Sequence, residues 1–258
     1  MTKWWIVVLG VALAGAGAAV ALAPRTPQRT ECTTIDACVV ELRAMAHAPG
    51  VYASSMNKGE SEFVQRVAGM EGALPALMPL LTDADRAVAE MAAKALHAYQ
   101  KPIDAKYLPQ VRAGLDRNLV WLPAVLGNIT SDEAAEEAVA RFLVSRDAPD
   151  NQEAFAVVRA GARAIPFILR TALCERGCGE DDITNLSSVL EDMGRERAAA
   201  VPGLLAIAEN QNVSDETAGD ALWLLRALGR DGARAEPALV ELRLHRPALA
   251  LRIDSALV

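Results

Sequence analysis

Aromatic side chains make up only 4% of this chain, histidine occurs three times, and basic residues number 26 against 33 acidic ones. Each shortage excludes something. With so few aromatics, alanine, leucine and valine must supply most of the packing. Such small side chains favour closely stacked helices over a globular enzyme built round a deep pocket. A net charge of −7 excludes a general nucleic-acid binder, because phosphate contact calls for a basic stripe. His47, His97 and His245 are scattered and none neighbours a cysteine pair, so no metal site is expected. No G-x-S-x-G, Walker or dinucleotide glycine motif occurs, so no cofactor and no catalytic residue is assigned.

What the chain does have is a recurring proline with the same apolar dressing. The copies are Gly72-Ala73-Leu74-Pro75-Ala76-Leu77, Tyr107-Leu108-Pro109, Ala164-Ile165-Pro166-Phe167-Ile168, Ala200-Val201-Pro202-Gly203-Leu204 and Ala235-Glu236-Pro237-Ala238-Leu239. Their spacings are 34, 57, 36 and 35 positions. A period in the middle thirties marks stacked helical hairpins. Each unit reads as a helix, a glycine turn, and a second helix that the proline enters, with Gly194 and Gly229 the clearest C-caps.

Between the prolines the helical pattern is plain. Val88, Met91, Ala92, Ala95, Leu96 and Tyr99 form one apolar stripe, predicting a helix over 83–99. Arg86, Glu90 and Lys94 line another face of it, with Glu90 and Lys94 correctly oriented for an i,i+4 pair. These three are the candidate partner-binding residues. Helices are also predicted over 215–228, capped by Ser214 with Ala218, Ala221, Leu222 and Leu225 inward, and over 181–193. The long gap is filled by a pair lacking the proline, over 131–145 and 152–160. Thr33 with Asp36 has the spacing of a capping box for a first helix. About seven hairpins fit between residues 35 and 257.

Residues Trp4 to Ala23 form an uncharged apolar run behind Lys3, long enough to span a bilayer or to serve as a secretory signal. Ala19-Val20-Ala21 offers a cleavage site; an uncleaved anchor is preferred. Residues 1–23 are therefore signal peptide or single transmembrane anchor, 24–33 a proline-broken linker, and 34–258 the helical stack. Either reading places Cys32 onward outside the cytoplasm, in the bacterial periplasm. There Cys32 with Cys38, and Cys174 with Cys178, are expected as two local disulfides, since repeat units touch only their neighbours. The first would staple the linker to the opening helix turn.

The strings Gly161-Ala162-Arg163-Ala164-Ile165-Pro166, Ala199-Ala200-Val201-Pro202-Gly203-Leu204-Leu205 and Leu228-Gly229-Arg230-Asp231-Gly232-Ala233-Arg234-Ala235-Glu236-Pro237-Ala238-Leu239 resemble the HEAT-repeat superfamily, in its short lyase-associated variety. Leu80-Leu81-Thr82-Asp83 followed by Ala92-Ala93-Lys94-Ala95-Leu96 is similar to the family's mid-repeat. The likeness covers roughly residues 60–257 and implies an all-α, right-handed HEAT-like α-solenoid with a concave protein-binding surface, preceded by the N-terminal hydrophobic helix. It carries over no catalytic residue. Only Arg86 matches the arginine that relatives place early in the second helix, so a polar ladder between repeats is not expected.

Other signals weigh less than their structural readings. Ser55-Met56-Asn57-Lys58 matches an acyl-transfer motif whose companions are missing. Asp132-Glu133/Glu136-Glu137 and Glu180-Asp181-Asp182 sit where carboxylates complement a helix N-terminus. Trp121 and Trp223 are expected in the core rather than as partner anchors. Asn128, Asn185 and Asn212 open glycosylation sequons, which carry no meaning in a bacterial source, to which the alanine- and arginine-rich usage points. The expected function is a non-catalytic extracytoplasmic scaffold that binds a protein partner and meets the membrane through its N-terminal segment. The alternatives are an inhibitor or immunity-type module and a HEAT-like lyase.

Overall fold

The computed structural model describes residues 32–51, 55–145, 152–173 and 180–257. The chain divides into two units, Met1–Thr33 and Thr34–Val258, and every described helix lies in the second. The expected signal or anchor lies outside the described residues. Among those described, no helix is long and apolar enough to cross a membrane.

Fourteen α-helices occur among the described residues. The first seven are α1 (Ile35–Met45), α2 (Lys58–Gly69), α3 (Ala73–Leu77), α4 (Arg86–Ala98), α5 (Leu108–Asp116), α6 (Pro123–Leu126) and α7 (Asp132–Val144). The others are α8 (Gln152–Ala160), α9 (Ile165–Ala172), α10 (Glu180–Asp192), α11 (Val201–Glu209), α12 (Asp215–Ala227), α13 (Glu236–His245) and α14 (Ala250–Ala256). Even-numbered helices make one unbroken layer, α2 on α4, α4 on α6, and so on to α12 on α14. In the other layer α1 packs on α3, α7 on α9, and the proline-started helices follow one another through short 3-10 turns. No strand forms among the described residues; Ile103 and Ile129 meet in an isolated parallel bridge. This is a helical repeat stack, each pair burying the face its neighbour cannot hide alone.

Pro75 stands third in the short α3, but the other four prolines do not enter helices already under way. Pro109, Pro166, Pro202 and Pro237 stand at the first positions of α5, α9, α11 and α13, and 3-10 turns such as Gly194–Ala200 and Gly232–Ala235 lead in. A missing N–H costs nothing there, because the first-turn N–H groups have no helical acceptor. Pro123 starts α6 in the same way, a copy inside the long gap that its shortened helix obscures. Gly194 and Gly229 adopt φ of 60° and 54° beyond α10 and α12, the left-handed conformation their C-capping requires.

Two helix starts differ from the expected ones. Helix α4 begins at Arg86 because the Asp83 carboxylate accepts from the Asp85 N–H, holding 83–85 as a turn, while Asp85 caps Ala87. The cap of α1 is Thr34, accepting from Ala37 N at 3.3 Å, rather than Thr33. A capping box does occur at α2, where Asn57 and Glu60 each accept from the other's backbone N–H.

A polar ladder joins the repeats, contrary to expectation, with arginines from several helix positions. Arg117 donates to the Leu81 carbonyl at 2.7 Å and Arg86 to the Asn118 carbonyl at 3.1 Å. Arg163 reaches the Gly127 carbonyl at 2.9 Å and the Ile129 carbonyl as well. Arg197 meets Asp231 at 3.1 Å, and Arg246 clasps the Ala208 and Asn210 carbonyls. Most of these partners lie about one repeat apart, so each rung fixes the register of neighbouring units.

Candidate functional site

Helices α10, α12 and α14 lie side by side, and between them runs a groove of about 570 Å³. Local sequence sets which side chains reach it. Ser214 caps α12 by accepting from Thr217 N at 3.1 Å, and Ala218, Ala221, Leu222 and Leu225 turn into the core. At helical spacing that leaves Gly219, Trp223 and Arg226 on one line along the groove, Gly219 buried and the other two exposed, since positions i, i+4 and i+7 share a face. Helix α14 is pinned by buried Ile253 and presents Leu251, Arg252 and Ser255 to the same groove, while Thr184 comes from α10.

Trp223 is 50% exposed and Leu251 86% exposed, a large apolar pair on an otherwise polar rim. The guanidinium of Arg226 lies 5.7 Å from the Trp223 ring centroid and donates to the Ser255 hydroxyl at 2.8 Å. Arg252 stretches back across α12, its Nη1 3.8 Å from Asp220. Gly219 makes that path possible: a Cβ there would stand 1.8 Å from Arg252 Nη1. A mid-helix glycine costs about 1 kcal/mol against alanine. Here it makes room for a cation. Trp223 is thus corrected from core residue to surface residue, and the groove needs a contact between α12 and α14 that no local pattern announces.

The three expected partner-binding residues do not form one exposed face. Arg86 is exposed, but Glu90 and Lys94 are buried in α4, which touches α1, α2, α3 and α6. Lys94 forms a fully buried ion pair with Glu60 and donates to the Ser55 carbonyl at 2.8 Å. Glu90 accepts from the Val120 N–H at 3.2 Å, and burial raises its carboxyl above the ordinary range. Periodicity marks the apolar stripe but not that the helix is enclosed on most sides, with Glu90 and Lys94 buried as well.

The remaining candidates are structural in their contacts. Glu133 and Glu137 both bind Arg112 at 2.7 Å, and Glu136 binds Arg170 at 2.9 Å, so three carboxylates of the first acidic cluster are held by arginines of α5 and α9. Asp182 of the second is buried. Lys58 of the serine–x–x–lysine string is exposed and 3.9 Å from Glu62. Asn128 is buried and donates to the Tyr99 carbonyl at 2.7 Å, out of reach of glycosylation. Trp121 packs edge-to-face on His97, ring centroids 5.0 Å apart. Burial, with the Arg159 charge second, lowers the His97 imidazole to about 4. Cys32 and Cys38 are both disulfide-bonded, while Cys174 and Cys178 lie outside the described residues. Among the described residues no group of three or more His, Cys, Asp or Glu side chains is placed to hold a metal.

The fold defines a class, the stacked-helix repeat. No protein-family model matches the chain, and no curated protein sequence matches it. Solved structures do: a designed armadillo repeat protein in complex with a (KR)4 peptide is similar over 90% of this chain and 94% of its own, at 19% identity and a TM-score of 0.30. An engineered protein from a structural genomics consortium is similar over 88% and 91%, at 17% identity and a TM-score of 0.30. At that low superposition neither bears on what this chain binds.

Proposed function

We propose that this protein is a non-catalytic extracytoplasmic scaffold, a HEAT-like right-handed solenoid of seven hairpins, that binds a protein partner through its even-numbered helix layer. The observation that carries the reading is Trp223, half-exposed beside Leu251 in a groove walled by three helices. Tryptophan and arginine are the residues that most often anchor protein interfaces, and both are here at one place. The extracytoplasmic assignment rests on the apolar run Trp4–Ala23 and on the disulfide-bonded Cys32 and Cys38. The N-terminal run would hold the scaffold at the membrane, or release it after cleavage.

Pull-down of the full chain from gentle detergent extracts tests this. A stoichiometric protein recovered with the native chain, and lost with Trp223→Ala and Leu251→Asp, is the expected result. Recovery of nothing under conditions that preserve the fold, or capture indifferent to both substitutions, would sink it. Intact mass of the exported protein reads cleavage and cysteine oxidation together.

A further inference from the structure

Resting on that reading, we infer that the α10–α12–α14 groove takes an acidic protein segment, one that sets glutamate or aspartate side chains on either side of a large apolar residue. The recognition elements stand in a row along α12: Arg252 lying over Gly219, then Trp223 with Leu251 beside it, then Arg226. Gly219 and Arg226 are seven residues apart, about 10 Å along a helix axis. An extended segment alternates its side chains and rises about 3.3 Å per residue, so carboxylates four positions apart share one face and span about 13 Å, within the reach of two long arginine side chains. The apolar side chain between them would fall on Trp223.

The charges decide the sign of the ligand. Among the described residues Arg226 has a hydroxyl and an aromatic ring as partners and no carboxylate, so its charge is unspent there. Arg252 is held by Asp220 at 3.8 Å, a loose pairing that an incoming carboxylate can replace. Glu216 and Asp220 also line the groove, one on each side of Gly219 in sequence. They repel an acid beyond Arg252 and so confine the ligand's carboxylates to the stretch from Arg252 to Arg226. The Arg226 guanidinium lies over the Trp223 ring, and both arginines present the planar fork that pairs bidentately with carboxylate. Gly219 then has a binding role, holding Arg252 in line, that its helix position alone does not explain.

The probe is a fluorescein-labelled peptide with two glutamates four positions apart around a central leucine, titrated into the full chain by fluorescence anisotropy. Matched peptides carry glutamine or lysine in place of the glutamates. The glutamate peptide is expected to bind best, with affinity falling as salt rises. Arg226→Gln and Arg252→Gln should each weaken it about tenfold, the scale of one charge-assisted contact. Asp220→Asn should tighten it by freeing Arg252, and Gly219→Ala should weaken it with both charges still present. A merely structural role for these residues predicts no tightening in Asp220→Asn. Equal binding of the three peptides overturns the inference, as does preference for lysine. If no peptide binds while a protein partner is still captured, this inference fails and the scaffold reading stands. If the glutamate peptide binds but no partner is ever captured, the site stands and the scaffold reading fails.

Discussion

Lys94 of α4 and Glu60 of α2 meet as an ion pair with each side chain only 1% exposed, and the same ammonium donates to the Ser55 carbonyl at 2.8 Å. Taking two charges out of water is costly, and their attraction repays it only while both remain. Lys94→Met or Glu60→Gln alone is therefore expected to destabilise the protein by about 3–5 kcal/mol, since each strands a buried partner. Glutamine keeps the capping-box contact to Asn57, so the cost of Glu60→Gln reports the charge and not the cap. The double variant should recover most of the loss. Urea midpoints for the four proteins of the cycle check this, and additive costs would refute it.

Gly161 and Gly229 both adopt left-handed φ, 58° and 54°, yet their surroundings differ. A Cβ on Gly229 meets nothing within 4 Å, whereas on Gly161 it would stand 1.8 Å from Glu196 Oε2. That carboxylate accepts from the Ala162 N–H at 2.7 Å and links neighbouring repeats. Gly229→Ala should cost about 1–2 kcal/mol for the backbone alone. Gly161→Ala should cost about 1 kcal/mol more, through the lost charge-assisted hydrogen bond. Equal shifts of the two thermal midpoints would show that Glu196 moves aside freely.

Local features were legible because they are local. Ser214 caps α12 where the spacing put it, and Gly194 and Gly229 end their helices, since capping chemistry acts over three or four residues. The orientation of Glu90 and Lys94 was not legible. In an alanine-rich helix the polar face looks solvated until Glu60, 34 positions away, supplies a buried partner. The ladder was hidden for the same reason: Arg163 and Arg246 bind backbone carbonyls, which have no residue signature. The groove likewise depends on Arg252 crossing to Gly219 from another helix.

Arg163 spans two carbonyls of the α6–α7 connection, Gly127 and Ile129, and that connection also pairs with Ile103, whose N–H donates to the Asn128 carbonyl at 2.8 Å. One fork thus holds one loop from the next repeat. Lysine cannot reproduce two parallel donors, so Arg163→Lys should cost about 1–2 kcal/mol. The effect should be local first: amide hydrogen exchange at Ile103 and Thr130 should quicken before the α12 core does. Uniform acceleration along the chain would mean that the rung carries global stability instead.

His97 gives the protein a dependence on mild acid. Its folded-state imidazole is held to about 4 by burial and then by Arg159, against an unfolded value near 6.5. The unfolded chain therefore takes up the proton first. Stability from this group is complete above about pH 6.5 and is lost as pH falls toward 4, levelling off below that. Glu90 works the other way, because its raised carboxyl binds a proton in the folded state before the unfolded one does. The two are separated by substitution. In His97→Phe, which keeps a ring against Trp121, the decline in urea midpoint between pH 7 and 5 should flatten relative to the native chain. Asp83 and Asp85, whose carboxyls lie below the usual range, give stability that is present through mild acid and lost only at lower pH, as they become protonated. An unchanged slope in the phenylalanine variant would assign the acid sensitivity to some other group.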